Sequence, residues 1–347
     1  MKMTNKLSIS MPNDMHIHFR EGALLDFAVN ATAKNFHHAI AMPNLKDPIT
    51  SYSKAINYYD QIQKISRFKH FEPLVTLYLT MTLMEEDIRL SAQDNRIIGA
   101  KLYPAGVTTN SEKGVSDLQA CYKIFELMEK YQLPLLIHGE VANKEIDIFD
   151  REKLFIDELI KITSMFPALK VIFEHISTKD AVQFIEASSI NVAATITPQH
   201  MILNRNDLLS GGLKPHHYCL PVLKREEHRA AVANAAVSGN AKFFLGTDSA
   251  PHPRSQKESS CGCAGIFSAI GALEIYLQYF EAENAIDNFE NFAVHNSCAF
   301  YGLKPSDKRI TFEKSDYTIP AAFTIENHEL IPLMADQTIS WKILNEL

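Results

Sequence analysis

Met11-Pro-Asn-Asp-Met-His-Ile-His18 is the stretch from which the rest of the chain can be read. The alternation of Leu7, Ile9 and Met11 leading into it predicts a β-strand over Leu7–His16. Residues i and i+2 of a strand share a face, so His16 and His18 project together from one strand end. Two neighbouring imidazoles are half of a transition-metal site. A lone His-x-His pair also arises by chance, so its weight depends on what the rest of the chain adds.

Further short apolar runs follow, at His37–Met42, Leu74–Thr80, Ile97–Leu102, Leu135–His138, Lys170–His175, Asn191–Thr197 and Lys242–Gly246. Amphipathic helical patterns separate them. The clearest spans Asp117–Tyr131, with Leu118, Cys121, Tyr122, Phe125 and Met128 at helical spacing. Ser116-Asp-Leu-Gln119 ahead of it predicts a capping box. With the first run these make eight strands alternating with helices, an α/β pattern that predicts a (β/α)8 TIM barrel. An open doubly wound sheet competes, but no Gly-rich phosphate turn follows the first strand. The 347 residues are read as a single domain over 1–347, with the barrel at about 7–305 and a C-terminal extension at about 306–347.

Composition narrows the function class. An apolar fraction of 46% and a charged fraction of 22% are those of a soluble globular protein. No run approaches the length of a membrane span, and the N-terminus has no signal-type apolar core, so a cytoplasmic protein is expected. A net charge of −7 argues against nucleic acid and anionic membranes as partners. Five cysteines do not form a disulfide framework.

In a barrel the C-terminal strand ends share one mouth. Reading those ends yields His16 and His18, Lys101, His138, His175 and Asp248. Taken singly, a strand-end histidine is an ordinary polar residue and Asp248 could start a turn. Lys101 stands where an apolar residue is expected, and an unpaired buried lysine is costly. That all six fall at the ends of one barrel points to a metal centre.

This set resembles the two-metal centre of the amidohydrolase superfamily. MPNDMHIHFREG, AMPNL, GAKLYPAGVTTNS, IHGE, FEHIST, TPQH and GTDSAPH, in matching order across the chain, resemble the short monofunctional (class II) dihydroorotases. The resemblance implies a zinc-dependent cyclic amidohydrolase of de novo pyrimidine (UMP) synthesis, reversibly closing N-carbamoyl-L-aspartate to L-dihydroorotate plus water. It implies two divalent ions, zinc by family habit, held by His16, His18, His138, His175 and Asp248. Lys101 would carry a CO2-derived carbamate (N6-carboxylysine) bridging them, with a bridging hydroxide as nucleophile and Asp248 as general acid and base. It assigns substrate contacts to His18, Arg20, Asn44, His138, Leu220, His252 and Ala264, and a mobile loop to Thr108 and Thr109. It also implies a homodimer.

Hydantoinase-like relatives carry a longer segment before their first His-x-His, part of a flanking β-sandwich for which the chain ahead of His16 leaves no room. A hydantoinase or dihydropyrimidinase is the first rival; its substrates lack the carboxylate that Arg20 would hold. A catalytically dead scaffold is the second, but all six ligand positions are kept. Cys261-Gly-Cys263 is not read as a metal pair. His200, His216 and His217 are read as peripheral, His37 and His38 as structural features of the opposite barrel face, and the aromatic residues of Ile266–Phe280 as packing.

Overall fold

The computed structural model describes residues 5–344. Eight parallel strands form one sheet in sequential order. Numbering strands along the chain, with β1 at Lys6–Ser10, these are β2 (Asp14–Ile17), β3 (His38–Ala41), β4 (Glu72–Tyr78), β5 (Ile97–Leu102), β6 (Leu135–Ile137), β7 (Val171–Phe173), β8 (Val192–Ile196) and β9 (Phe243–Leu245). Asp248 N–H donates to His16 O at 2.8 Å and His18 N–H to Ser249 O at 3.0 Å, joining first strand to last. The expected (β/α)8 barrel is the fold.

Side-chain parity fills it. Ile40, Leu136, Ile172, Ala193 and Phe244 are buried together inside the barrel, while Ala39, Ala41, Leu135, Ile137, Val171, Phe173, Phe243 and Leu245 pack outward against the helical shell. A parallel strand covered on both faces needs such near-continuous apolar runs. Phe300, Tyr301 and Leu303 pack against the inner cluster.

The first predicted strand is corrected. Leu7–His16 is two strands: β1 leaves the barrel and β2 enters it. Pro12, which has no N–H for a ladder, stands between them, and the flanking amides bond elsewhere, Met11 N–H to Lys308 O and Asn13 N–H to Ala293 O, each at 2.9 Å. β1 instead pairs antiparallel with β10 (Arg309–Thr318), which pairs with β13 (Thr338–Ile343). β11 (Phe323–Ile325) and β12 (His328–Leu330) form a hairpin between them. The segment before His16 thus does build a flanking sheet, completed by strands of the C-terminal extension. The capping box is also absent. Ser116 Oγ faces Met81 Sδ, Asp117 Oδ1 accepts the Gln119 N–H at 2.9 Å, and a 3-10 turn at Gln119–Cys121 precedes the α-helix Tyr122–Tyr131. An Asx turn from Asp117 outcompetes the serine cap.

Candidate metal centre

The parity that fills the barrel also aims the polar residues. Two positions beyond Leu136 lies His138, and two beyond Ile172 lies Glu174, so both continue the inward face past the strand ends. His175 is one residue out of step. Its φ of +43° turns the chain, and Asp248 at +47° and Arg20 at +64° are bent the same way. Left-handed backbone at a non-glycine costs of order 1–3 kcal/mol and concentrates where geometry is functionally constrained.

The predicted ligands converge. His16, Lys101, His138, His175 and Asp248 are buried. Ligand atoms of His16, His18 and Asp248 lie within 4.8 Å of one another, and the Asp248 Oδ1 is 3.1 Å from His18 Nε2 and 3.5 Å from His16 Nε2. The His175 ring lies 4.9 Å from that of His16 and 4.7 Å from that of His138, centre to centre, both edge-on. Lys101 Nζ, wholly buried, has no hydrogen-bond partner, and neither do His16 Nε2 and His175 Nδ1. Orphaned buried polar atoms are costly, and here they cluster. A donor set of imidazoles and a carboxylate suits zinc-type cations, so the residues fit the metal centre that the resemblance implies.

Burial alone would raise the Asp248 carboxyl, but the His18 hydrogen bond, with the neighbouring imidazoles of His16 and His18, outweighs it, holding it below the usual carboxylate range. Burial, reinforced for His16 by Lys101 and for His175 by His138, pushes both imidazoles well below their ordinary value. They are therefore neutral and able to ligate at neutral pH.

Three carboxylates behind the ligands were not singled out from the sequence. His16 Nδ1–H donates to Glu174 Oε2 at 2.7 Å, and the Thr195 hydroxyl donates to the same oxygen at 2.6 Å. His138 Nε2–H donates to Glu140 Oε2 at 2.8 Å. Each bond fixes a tautomer and leaves the other ring nitrogen bare. Asp14 accepts from the His16 and Thr247 amides at 3.2 and 2.8 Å and from the Thr247 hydroxyl at 2.6 Å, tying β2 to the turn that carries Asp248. The available signal was proximity in sequence: each acid lies within two residues of a ligand.

A small enclosed pocket above the ligands is lined by His18, Arg20, Asn44, Tyr103, Thr108, Thr109, His138, His175, Leu220, Asp248, Ala250, Ala264 and Gly265. Of the predicted substrate and loop residues, only His252 stands behind this lining. Its Nε2 accepts from Arg20 Nη2 at 2.8 Å, and burial followed by the Arg20 charge lowers its pKa to about 3, consistent with an accepting ring. The segment 105–111 is folded onto the pocket: Asn44 Nδ2 donates to Thr109 O and Asn110 Nδ2 to Asn44 O, both at 2.9 Å. The fully buried Ser111 caps this loop from within, donating to Thr108 O at 2.6 Å.

Lys257 was also missed. Its ammonium donates to Tyr218 O, Cys263 O and Gly265 O at 2.8, 2.9 and 2.7 Å, gathering the segments that carry Leu220 and Ala264. His200, read as peripheral, is buried and donates from Nε2 to Pro221 O at 2.8 Å, so it too supports the Leu220 segment. His216 pairs with Glu258 at 2.9 Å, and neither it nor His217 lines the pocket. Cys261 and Cys263 are free thiols.

The signature of the amidohydrolase family matches residues 13–304. The chain is 50% identical to a dihydroorotase of Pseudoalteromonas atlantica, over 97% of its own length and 99% of that protein's. Its structure is similar to that of a dihydroorotase from Saccharomyces cerevisiae in complex with 5-fluoroorotic acid, with a TM-score of 0.91, 33% identity and 98% of each chain covered. An L-hydantoinase from Arthrobacter aurescens shares the fold, with a TM-score of 0.81, at 16% identity, the match covering 97% of this chain and 82% of that one.

Proposed function

The chain belongs to the amidohydrolase family, in its dihydroorotase branch, and from that premise we propose how its barrel mouth performs the reaction. Dihydroorotases interconvert N-carbamoyl-L-aspartate and L-dihydroorotate, a step of de novo pyrimidine synthesis. The hard event is attack of water on an unactivated amide carbonyl. Divalent cations held at this mouth, zinc by its match to imidazole, would supply Lewis-acid polarisation of that carbonyl and bring the pKa of water down toward about 7.

His16, His18 and Asp248 would hold one cation, and His138 and His175 the other. Two imidazoles alone are a sparse ligand set. Carboxylation of Lys101 by CO2 would supply the missing oxygen ligands and remove an unpaired ammonium from a buried site. Asp248, ionised beside His18, takes the proton of the attacking water and delivers it to the departing ring nitrogen; in ring closure it runs the same path backwards. His18 and His138 also border the reacting group. Arg20 and Asn44, with His252 steadying the guanidinium, hold the α-carboxylate, and Leu220 and Ala264 present backbone groups to the ring amide. Thr108 and Thr109 close over the substrate and exclude water. Ring closure consumes a proton, so it is favoured at lower pH and ring opening at higher pH. We further propose a cytoplasmic homodimer. None of the described helices is long and apolar enough to cross a membrane.

The observation that carries this reading is the buried, partnerless Lys101 amine at a mouth shared by four imidazoles and Asp248. The test is an assay of dihydroorotate ring opening before and after chelation. Activity should vanish with the metal and return with Zn2+; activity surviving complete metal removal would overturn the mechanism. In the same assay Arg20→Met removes charge-assisted hydrogen bonds worth roughly 1.5–3 kcal/mol each, a loss of about 10- to 150-fold in kcat/KM for each bond. An unchanged value would remove Arg20 from the carboxylate site and favour a hydantoinase-like substrate.

A further inference from the structure

The barrel has a second polar end. Opposite the mouth, around the strand N-termini, a groove of about 890 Å³ is lined by His37, His38, His70 and Glu72 among others. His38 opens β3 and Glu72 opens β4, and the two are direct partners in the parallel register, with His37 one residue before. The His37 and His38 rings lie 4.2 Å apart, centre to centre. Ligand atoms of His37, His38 and Glu72 all fall within 4.8 Å of one another.

The tautomers are set by the backbone. His37 Nδ1 donates to His70 O at 2.7 Å, and His38 Nδ1 lies 3.2 Å from Glu72 O. A carbonyl can only accept, so His37 carries its proton on Nδ1 and keeps Nε2 bare; the His38 ring also faces the Lys304 backbone carbonyl, and a proton donated there frees Nδ1 on the side of Glu72. This is the arrangement in which a ligating histidine is commonly held, its other nitrogen anchored to a carbonyl. The Glu72 carboxylate is 3.9 Å from His38 Nδ1, and its side chain is 65% exposed, free to swing onto an ion. Burial first, then His37, lowers the pKa of His38, keeping it neutral at pH 7. The lysines nearest along the groove, Lys304 and Lys308, are exposed, so solvent screens their charge.

We propose that His37, His38 and Glu72 form an independent site for a first-row divalent cation of the Zn2+ type, clipping the start of β3 to the start of β4. Two imidazoles, one carboxylate and a water complete a tetrahedral shell of a kind that zinc accepts. The ion would touch no substrate. Its effect is on the barrel floor, as a ligand that binds the folded chain and not the unfolded one.

Bound zinc per chain, measured on the holoenzyme at rising free Zn2+, tests this by comparing wild type with the double variant His37→Asn, Glu72→Gln. Because the readout is the difference between the two proteins, it does not depend on how many ions the mouth holds. The wild type should bind one more ion than the variant, and zinc should raise the thermal midpoint of the wild type but not of the variant. Ring-opening activity should be the same in both, which also shows that the variant has folded. His38→Asn, tested separately, should abolish the same extra ion. Equal zinc content in wild type and double variant, or an extra ion that survives all three substitutions, would overturn the site.

Discussion

Lys101 is protonated in water and cannot react with CO2 in that form. Burial pushes its amine down to about 8, with Glu174 and Asp248 opposing the shift. The reactive neutral form therefore dominates above about pH 8 in the metal-free protein and falls about tenfold for each pH unit below. Metal-stripped protein given bicarbonate and Zn2+ should regain activity faster at about pH 8.5 than at about pH 6.5; a reactivation rate indifferent to pH would count against carboxylation. Glu174 acts one step further out. Glu174→Gln keeps the size but weakens the hold on the His16 tautomer, so zinc affinity should drop by about 10- to 100-fold, measured by chelator competition. An unaltered affinity would make Glu174 a packing residue. The residues expected as ligands were legible because each is an out-of-place polar group at a strand end. Glu174, Glu140 and Asp14 were not, because a carboxylate beside a histidine has no periodic signature and gains its meaning only from the hydrogen bond.

Strand interiors were easy to read because a parallel strand covered on both sides admits little but apolar residues. Boundaries were harder. Apolar alternation continues from β1 toward β2, and only Pro12 marks where the chain leaves one sheet for another. Asp117 likewise displaced the expected cap at a position where two polar side chains competed for the same amide. The loops above the barrel were least legible. Their order rests on side chains reaching distant carbonyls, as Lys257 does across the segments bearing Leu220 and Ala264. Lys257→Met strands three carbonyls and loosens those segments without touching the reacting atoms. KM for dihydroorotate should rise about tenfold with a smaller change in kcat. A fall in kcat alone would mean that the lysine serves the chemical step instead.

Across the whole molecule, the barrel and the flanking sheet are joined by packing as well as by chain. Trp341 on β13 is fully buried and donates its indole N–H to Glu281 Oε2 at 3.0 Å, against the helix Ala272–Ala282. Truncation of a buried tryptophan costs about 3–5 kcal/mol. Trp341→Ala should lower the denaturation midpoint accordingly while leaving kcat per folded molecule intact, since no residue of that sheet lines the pocket. A loss of kcat at unchanged stability would show that sheet and mouth are coupled. The pairing of β1 with β10 has its own consequence in time. Lys6–Ser10 is made well ahead of its partner Arg309–Thr318, which lies some three hundred positions downstream. During synthesis on the ribosome this segment must wait, its backbone donors and acceptors unpaired and its Ile9 side chain uncovered, until Arg309–Thr318 has been translated. A nascent chain halted before Arg309 should present that segment to chaperones, and release of the finished chain should withdraw it.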